Sequence, residues 1–275
     1  MGCLKLTYQN FESPLKVVYK TSSFEQNIVQ RFLSVDPLAS EMPEWSPYTF
    51  EFNNPLRYLD PDGRKPVDII IKGYERQAAF SGLQASVQGQ LALSMSASGK
   101  VSYSQIGSGK LSKGASQLVN AIDDNSIVVN LNSENTTQTK SGALYVGGAF
   151  SGNTVTGESV VAEQEINPSV LNTMSNVHGK PGVDVLHEAT EAYQGALISQ
   201  KRGKSSAAAG QSGSTYTKAH NRATKQSGQV HERIYDASGN VMNMNAQGGY
   251  PKGVRSADYY VQDKKGNKTV IQTVE

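Results

Sequence analysis

Four histidines, His178, His187, His220 and His231, fall within one window of 54 residues, and the other 221 positions of the 275-residue chain hold none. The sharpest pattern in that window is VLHEATEAY, residues 185–193. If 183–198 forms a helix, His187 and Glu191 lie four positions apart on one face, with Cβ atoms roughly 5–6 Å from each other. At that separation an imidazole and a carboxylate can converge on one metal ion. Glu188, one position on, projects beside the ion, where a carboxylate can act as general base. Zinc peptidases use this arrangement in His-Glu-x-x-His helices, and here Glu191 stands where the second histidine would be. Zinc accepts carboxylate oxygen at a distance close to that of imidazole nitrogen, so a ligand set of two histidines and one glutamate stays open. The same spacing also arises as an ordinary surface ion pair on a helix.

A second histidine must then come from outside that helix. His220 is the first choice because its segment, TYTKAHNRATKQ (215–226), also reads as a helix. His231 comes second, and His178, at the turn NVHGKPG, third. With such a site, zinc would polarise a scissile carbonyl and lower the pKa of its bound water toward about 7. Glu188 would take that proton and pass it to the leaving amine. Tyr216, His231, Tyr235 and Tyr259 are the candidate donors to the oxyanion, with core or hairpin packing as the plainer reading of each tyrosine.

The elements that must position these groups read as α+β. VDIIIKG (67–73) is a short apolar run with a glycine stop, and LALSMSASGKVSYSQI (91–106) alternates about Ser-Gly-Lys as a hairpin does. SKGASQLVNAIDD (112–124) has helical spacing behind a serine cap. Strands are expected at 126–133, 141–150 and 159–167, the last ended by Asn167-Pro168. Pro181-Gly182 starts the metal helix, on which Val183, Leu186, Ala189 or Thr190, Tyr193 and Leu197 form one apolar stripe. Residues 201–214 are low in complexity and read as a mobile loop, and two late hairpins turn at 237–239 and 265–267. By analogy with zinc peptidases, 159–166 would be the edge strand that pairs with substrate.

Composition narrows the classes. The single cysteine, Cys3, forbids an internal disulfide and a thiolate zinc site. No apolar run approaches the ~20 residues that span a bilayer, and the amino terminus lacks the apolar region of a signal peptide. GSGKLSKG (107–114) lacks phosphate-loop spacing, and Asp123-Asp124 and Asp60-Asp62 lack the ligand run of a calcium loop. Charge is uneven: residues 199–275 carry 12 Lys/Arg against 5 Asp/Glu, while 1–198 carry 14 against 19. A basic end can meet nucleic acid. A nuclease using His220 and His231, with Lys218, Arg222, Lys225 and Arg233 on phosphates, is therefore the rival class. A non-catalytic binding domain with buried histidines is the third.

The first 66 residues differ from the rest, holding most of the prolines and the only tryptophan, Trp45. RFLSVDPL (31–38), WSPYTF (45–50) and FNNPLRYLDPDG (52–63) combine extended apolar residues with proline and Asp-Gly turns. In this order the motifs resemble the end of the RHS repeat-associated core of bacterial polymorphic toxins. That resemblance implies a core remnant over 1–66 and a C-terminal toxin domain over 67–275. It also implies a cognate immunity protein as partner and export by a dedicated machine. The tyrosine-rich repeats that build the family's shell are missing, and Arg64, Lys65 and Pro66 replace the usual apolar residues of its cleavage site.

The second part also resembles a known type. GGAFSGN (147–153), EQEINPSVL (163–171), GKPGVDVLHEATEAYQGA (179–196) and AHNRA (219–223) are similar to a zincin-like peptidase found at the ends of RHS proteins. The resemblance implies an α+β zincin-like fold with a mixed sheet and a metal-binding helix. It implies Zn2+ on His187, Glu191 and His220, Glu188 as catalytic base, and a protein or peptide substrate.

Overall fold

A computed structural model describes residues 3–8, 16–21, 68–245 and 248–275. The chain divides into two compact units, Met1–Pro66 and Val67–Glu275. In the first, β1 (Cys3–Tyr8) pairs antiparallel with β2 (Lys16–Thr21). The motifs expected over 31–63 lie outside the described residues.

The second unit is mixed α+β. Its main sheet has the order β3 (Asp68–Lys72), β6 (Ile127–Ser133), β8 (Ser159–Ile166), β7 (Gly148–Thr156). The first three strands are parallel and β7 joins antiparallel. Parallel neighbours need a crossover. That from β3 to β6 runs through α1 (Arg76–Ser86), the hairpin β4 (Leu91–Met95) and β5 (Val101–Gln105), and α2 (Lys113–Asp123). Ser112 caps α2 by accepting from the Ala115 N–H. Along β8, Val160, Ala162, Gln164 and Ile166 are buried and alternate with half-exposed residues, the period-two pattern of a strand with one face on the core.

Asn167-Pro168 does more than end β8. Asn167 accepts from the Val170 N–H and caps α3 (Pro168–Val177), with Pro168 in the first turn, where a missing N–H costs nothing. Then follow α4 (Val183–Arg202) and α5 (Tyr216–Arg222). A second, antiparallel sheet has the order β10 (Val241–Met242), β9 (Val230–Asp236), β11 (Val254–Gln262), β12 (Lys268–Val274).

α4 is the centre of the unit. It packs against β6, β7 and β8 and is surrounded by α1, α2, α3 and α5. The expected single apolar stripe is therefore too narrow. Residues 184–193 are buried without a break, whereas Val183 and Leu197 at the stripe's ends are only half-buried. A helix enclosed on most sides buries polar groups too, and these need partners. Close packing also explains its start. Gly182 has φ +71°, and a Cβ there would stand 1.8 Å from the carbonyl oxygen of Gly82 on α1.

Three further expectations are corrected. β8 is an inner strand between β6 and β7, and the sheet edge beside α4 is β7. That strand begins at Gly148, because 141–147 form the end of a small loop bridged at Gln138 and Leu144. Residues 201–214 are not a free loop: α4 continues to Arg202, and Ser206 then bridges to Asn153 of β7.

No described helix is long and apolar enough to cross a membrane.

Candidate metal centre

Two helices and one loop bring the site together. His187 and Glu191 stand one turn apart on α4, and α5 lays His220 across them. Glu191 Oε2 lies 2.6 Å from His220 Nδ1 and 3.4 Å from His187 Nε2, and the two imidazole nitrogens are 3.1 Å apart. Among the described residues this is the cluster able to hold a metal ion. The donors suit zinc: ligand atoms ~2.0–2.1 Å from a tetrahedral ion stand about 3.3 Å from one another, close to the 3.1 and 3.4 Å separations here, while the 2.6 Å between Glu191 and His220 is a hydrogen bond that a bound ion would open.

The ring of His187 is fixed from behind. Its Nδ1–H donates to the backbone carbonyl of Thr224, leaving Nε2 toward the cluster. Metal-ligating histidines are oriented by such bonds. Thr224 is held in turn by α4. Its N–H donates to Thr190 Oγ1 at 3.1 Å, and the two threonine hydroxyls lie 3.0 Å apart. One turn earlier, the buried Asp184 carboxylate accepts from Ser175 Oγ, Ser227 N–H and Ser227 Oγ. Positions 184, 187 and 190 thus pin the 224–227 segment to one face of the helix.

Glu188 sits beside the cluster. Gln164, fully buried on β8, donates its amide Nε2 to Glu188 Oε2 at 2.5 Å and to Glu191 Oε1 at 3.2 Å. The carboxyl of Glu188 lies against the backbone of Gly148, where a Cβ would stand 2.1 Å from its Cδ. Burial raises the Glu188 pKa to about 8, helped by the charge of Glu191. For His187 burial acts downward, but the bond to Glu191, the charge of Glu188 and the Thr224 carbonyl outweigh it and raise the pKa to about 9.

The centre opens into a cleft of about 720 Å³, walled by β7, the 139–146 loop and Ala207–Ala209, with Glu188, Glu191 and His220 in its lining. Tyr216 also lines it, its ring 5.4 Å from that of His220. Burial and the charges of Glu191 and Glu188 raise the Tyr216 pKa, keeping its hydroxyl a donor. The other sequence candidates lie elsewhere. His178 caps α3, its Nδ1 3.0 Å from both the Met174 carbonyl and Ser227 Oγ. His231, on β9, stacks on Tyr260 with ring centroids 5.3 Å apart. Tyr235 donates to Asp258, and the Tyr259 hydroxyl lies 3.3 Å from that of Tyr250.

Sequence reasoning missed Gln164, Thr224 and Gly148. Gln164 left a trace, as a polar residue at an inward position of an alternating strand. Thr224 contributes a backbone carbonyl, which no side-chain pattern marks. Comparison with known proteins finds no matching family model, no matching curated protein and no matching solved structure.

Proposed function

We propose that the chain is a zinc-dependent hydrolase, a peptidase effector of the RHS polymorphic-toxin type with a zincin-like domain over 67–275. The observation that carries this reading is the convergence of His187, Glu191 and His220 within 3.4 Å, with a buried carboxylate, Glu188, beside them at the wall of a cleft. When bound, zinc would supply Lewis acidity to a carbonyl and make water a stronger acid. His187, Glu191 and His220 hold the ion in this reading. Glu188, buried beside the cluster and lining the cleft, would take a proton from water and return it to the leaving amine. Tyr216 is the candidate best placed to donate to the developing oxyanion. The toxin context and an immunity partner rest on the resemblance of 31–63 alone.

The deciding test is metal content of purified protein, wild type beside His187→Ala and His220→Ala. About one zinc per chain, lost in both variants, is expected. A well-folded wild type that neither contains nor takes up zinc would end the peptidase reading and direct work to nucleic-acid cleavage.

A further inference from the structure

The edge of β7 is where an extended peptide would add its backbone beside Glu188, and most of that edge is already taken by the chain itself. Asn153 and Ser206 exchange both backbone hydrogen bonds, at 3.0 and 3.1 Å. Ala209 N–H donates to the Phe150 carbonyl at 2.9 Å, and Val155 N–H to Ser205 Oγ at 2.9 Å. Ser206 is buried, and its hydroxyl accepts from both the N–H and the hydroxyl of Thr215, directly before α5. The strap 205–209 is thus fastened to the helix that carries His220.

The strap does not offer a replacement edge. The carbonyl of Ala207 accepts from Ser206 Oγ, and that of Ala208 from the Gln211 N–H. At the start of the edge Gly148 N–H turns back to the Val146 carbonyl, while the Gly147 carbonyl extends the pairing with β8 by accepting from Asn167. What remains beside Glu188 is Gly148–Ala149, about two residues or ~7 Å of strand. The cleft, at about 720 Å³, has the size of a small-ligand site, roughly 300–1,000 Å³.

Chain direction decides which end of a peptide this excludes. β7 starts at Gly148, against Glu188, and runs away toward Asn153. A peptide antiparallel to β7, as the strap itself is, would approach Glu188 from the Asn153 end, and that approach is filled. We propose, resting on the peptidase reading, that the strap makes this an end-cutting peptidase. Its substrate is a peptide whose cleaved bond lies within about two residues of a free N-terminus. Among the described residues Glu165 is the one carboxylate lining the cleft apart from Glu188 and Glu191; its oxygens accept from the Lys140 N–H and Ser151 Oγ and keep further lone pairs for an α-amino terminus.

The test uses the zinc-loaded full chain and a peptide it cleaves, resynthesised with about six extra residues at its N-terminus or at its C-terminus. N-terminal extension is expected to lower kcat/KM at the original bond by about 100-fold, and C-terminal extension by no more than about threefold. Binding of the same fluorescent peptides to zinc-loaded Glu188→Gln, read by anisotropy, is expected to follow the same order. Equal cleavage and binding of both extended peptides would overturn the end-cutting inference while leaving the peptidase reading intact. Failure to cleave any peptide would overturn that reading and this inference together.

Discussion

The backbone carbonyl of Thr224 accepts the Nδ1 proton of His187. A carbonyl can only accept, so the bond fixes which nitrogen points away and turns Nε2 toward Glu191 and His220. In the metal-free chain the raised pKa means that Nε2 also carries a proton, shared with Glu191. In the proposed zinc-bound form the metal would displace that proton. The Thr224 bond already aims the displaced position at Glu191 and His220.

Thr224 keeps this place through Thr190. Thr190→Val removes the hydroxyl that accepts the Thr224 N–H and leaves that donor buried. A stability loss of about 1–3 kcal/mol is expected. Zinc affinity, measured by competition with a chelator, is expected to fall ~10–100-fold. Unchanged affinity in a folded variant would show that the ring is held without Thr224.

Glu188 lies beside His187 and Glu191 without standing among the clustered donors. Glu188→Gln is expected to retain about one zinc per chain and lose hydrolysis by about 100-fold or more. Metal analysis beside a rate assay separates the roles. Loss of zinc together with activity would make Glu188 a ligand.

Stability of the metal-free protein should fall as pH rises. The folded-state pKa values of His187 and Glu188 are both raised, to about 9 and about 8. Between the unfolded values and these, the folded chain binds more protons than the unfolded one, and the slope of stability with pH is negative. The stabilisation is complete below the unfolded values and is lost as pH passes about 8 to 9. Zinc binding releases protons, so zinc affinity should strengthen over the same range. Melting temperatures of metal-free protein at pH 6 and pH 9 provide the check, and a rise toward pH 9 would contradict the assigned protonation.

Much of this arrangement was legible in the sequence wherever it depended on local pattern. The alternation of 159–166 gives β8, Ser112 caps α2, and the spacing of His187 and Glu191 gives the face of α4. What was not legible depends on distant pairing. Nothing within 148–156 says that it lies outside β8 instead of between other strands, and nothing within SSAAA (205–209) says that it returns to β7. α3 was hidden because Asn167-Pro168 is both a strand stop and a helix start, and only the chain that follows decides. The burial of α4 on nearly every side likewise follows from four other helices, not from its own periodicity.

Gly148 and Gln164 hold Glu188 from two sides, and the glycine is the more sensitive probe. Gly148→Ala would place a methyl group 2.1 Å from the Glu188 carboxyl carbon, so the carboxyl must move. It cannot move freely toward Gln164, whose amide also holds Glu191. Overpacking of this kind costs about 1–3 kcal/mol. A displacement of about 1 Å in a reacting group can cost ~100-fold in rate. The expected variant therefore binds zinc with near wild-type affinity, melts somewhat lower, and has kcat reduced by about 100-fold. The three atoms nearest the new methyl group all belong to Glu188, so the strain falls on the proposed base before the proposed ligands, and this is why affinity should be spared. If Gly148→Ala instead retains full kcat, Glu188 does its work from a position other than the one it holds against β7.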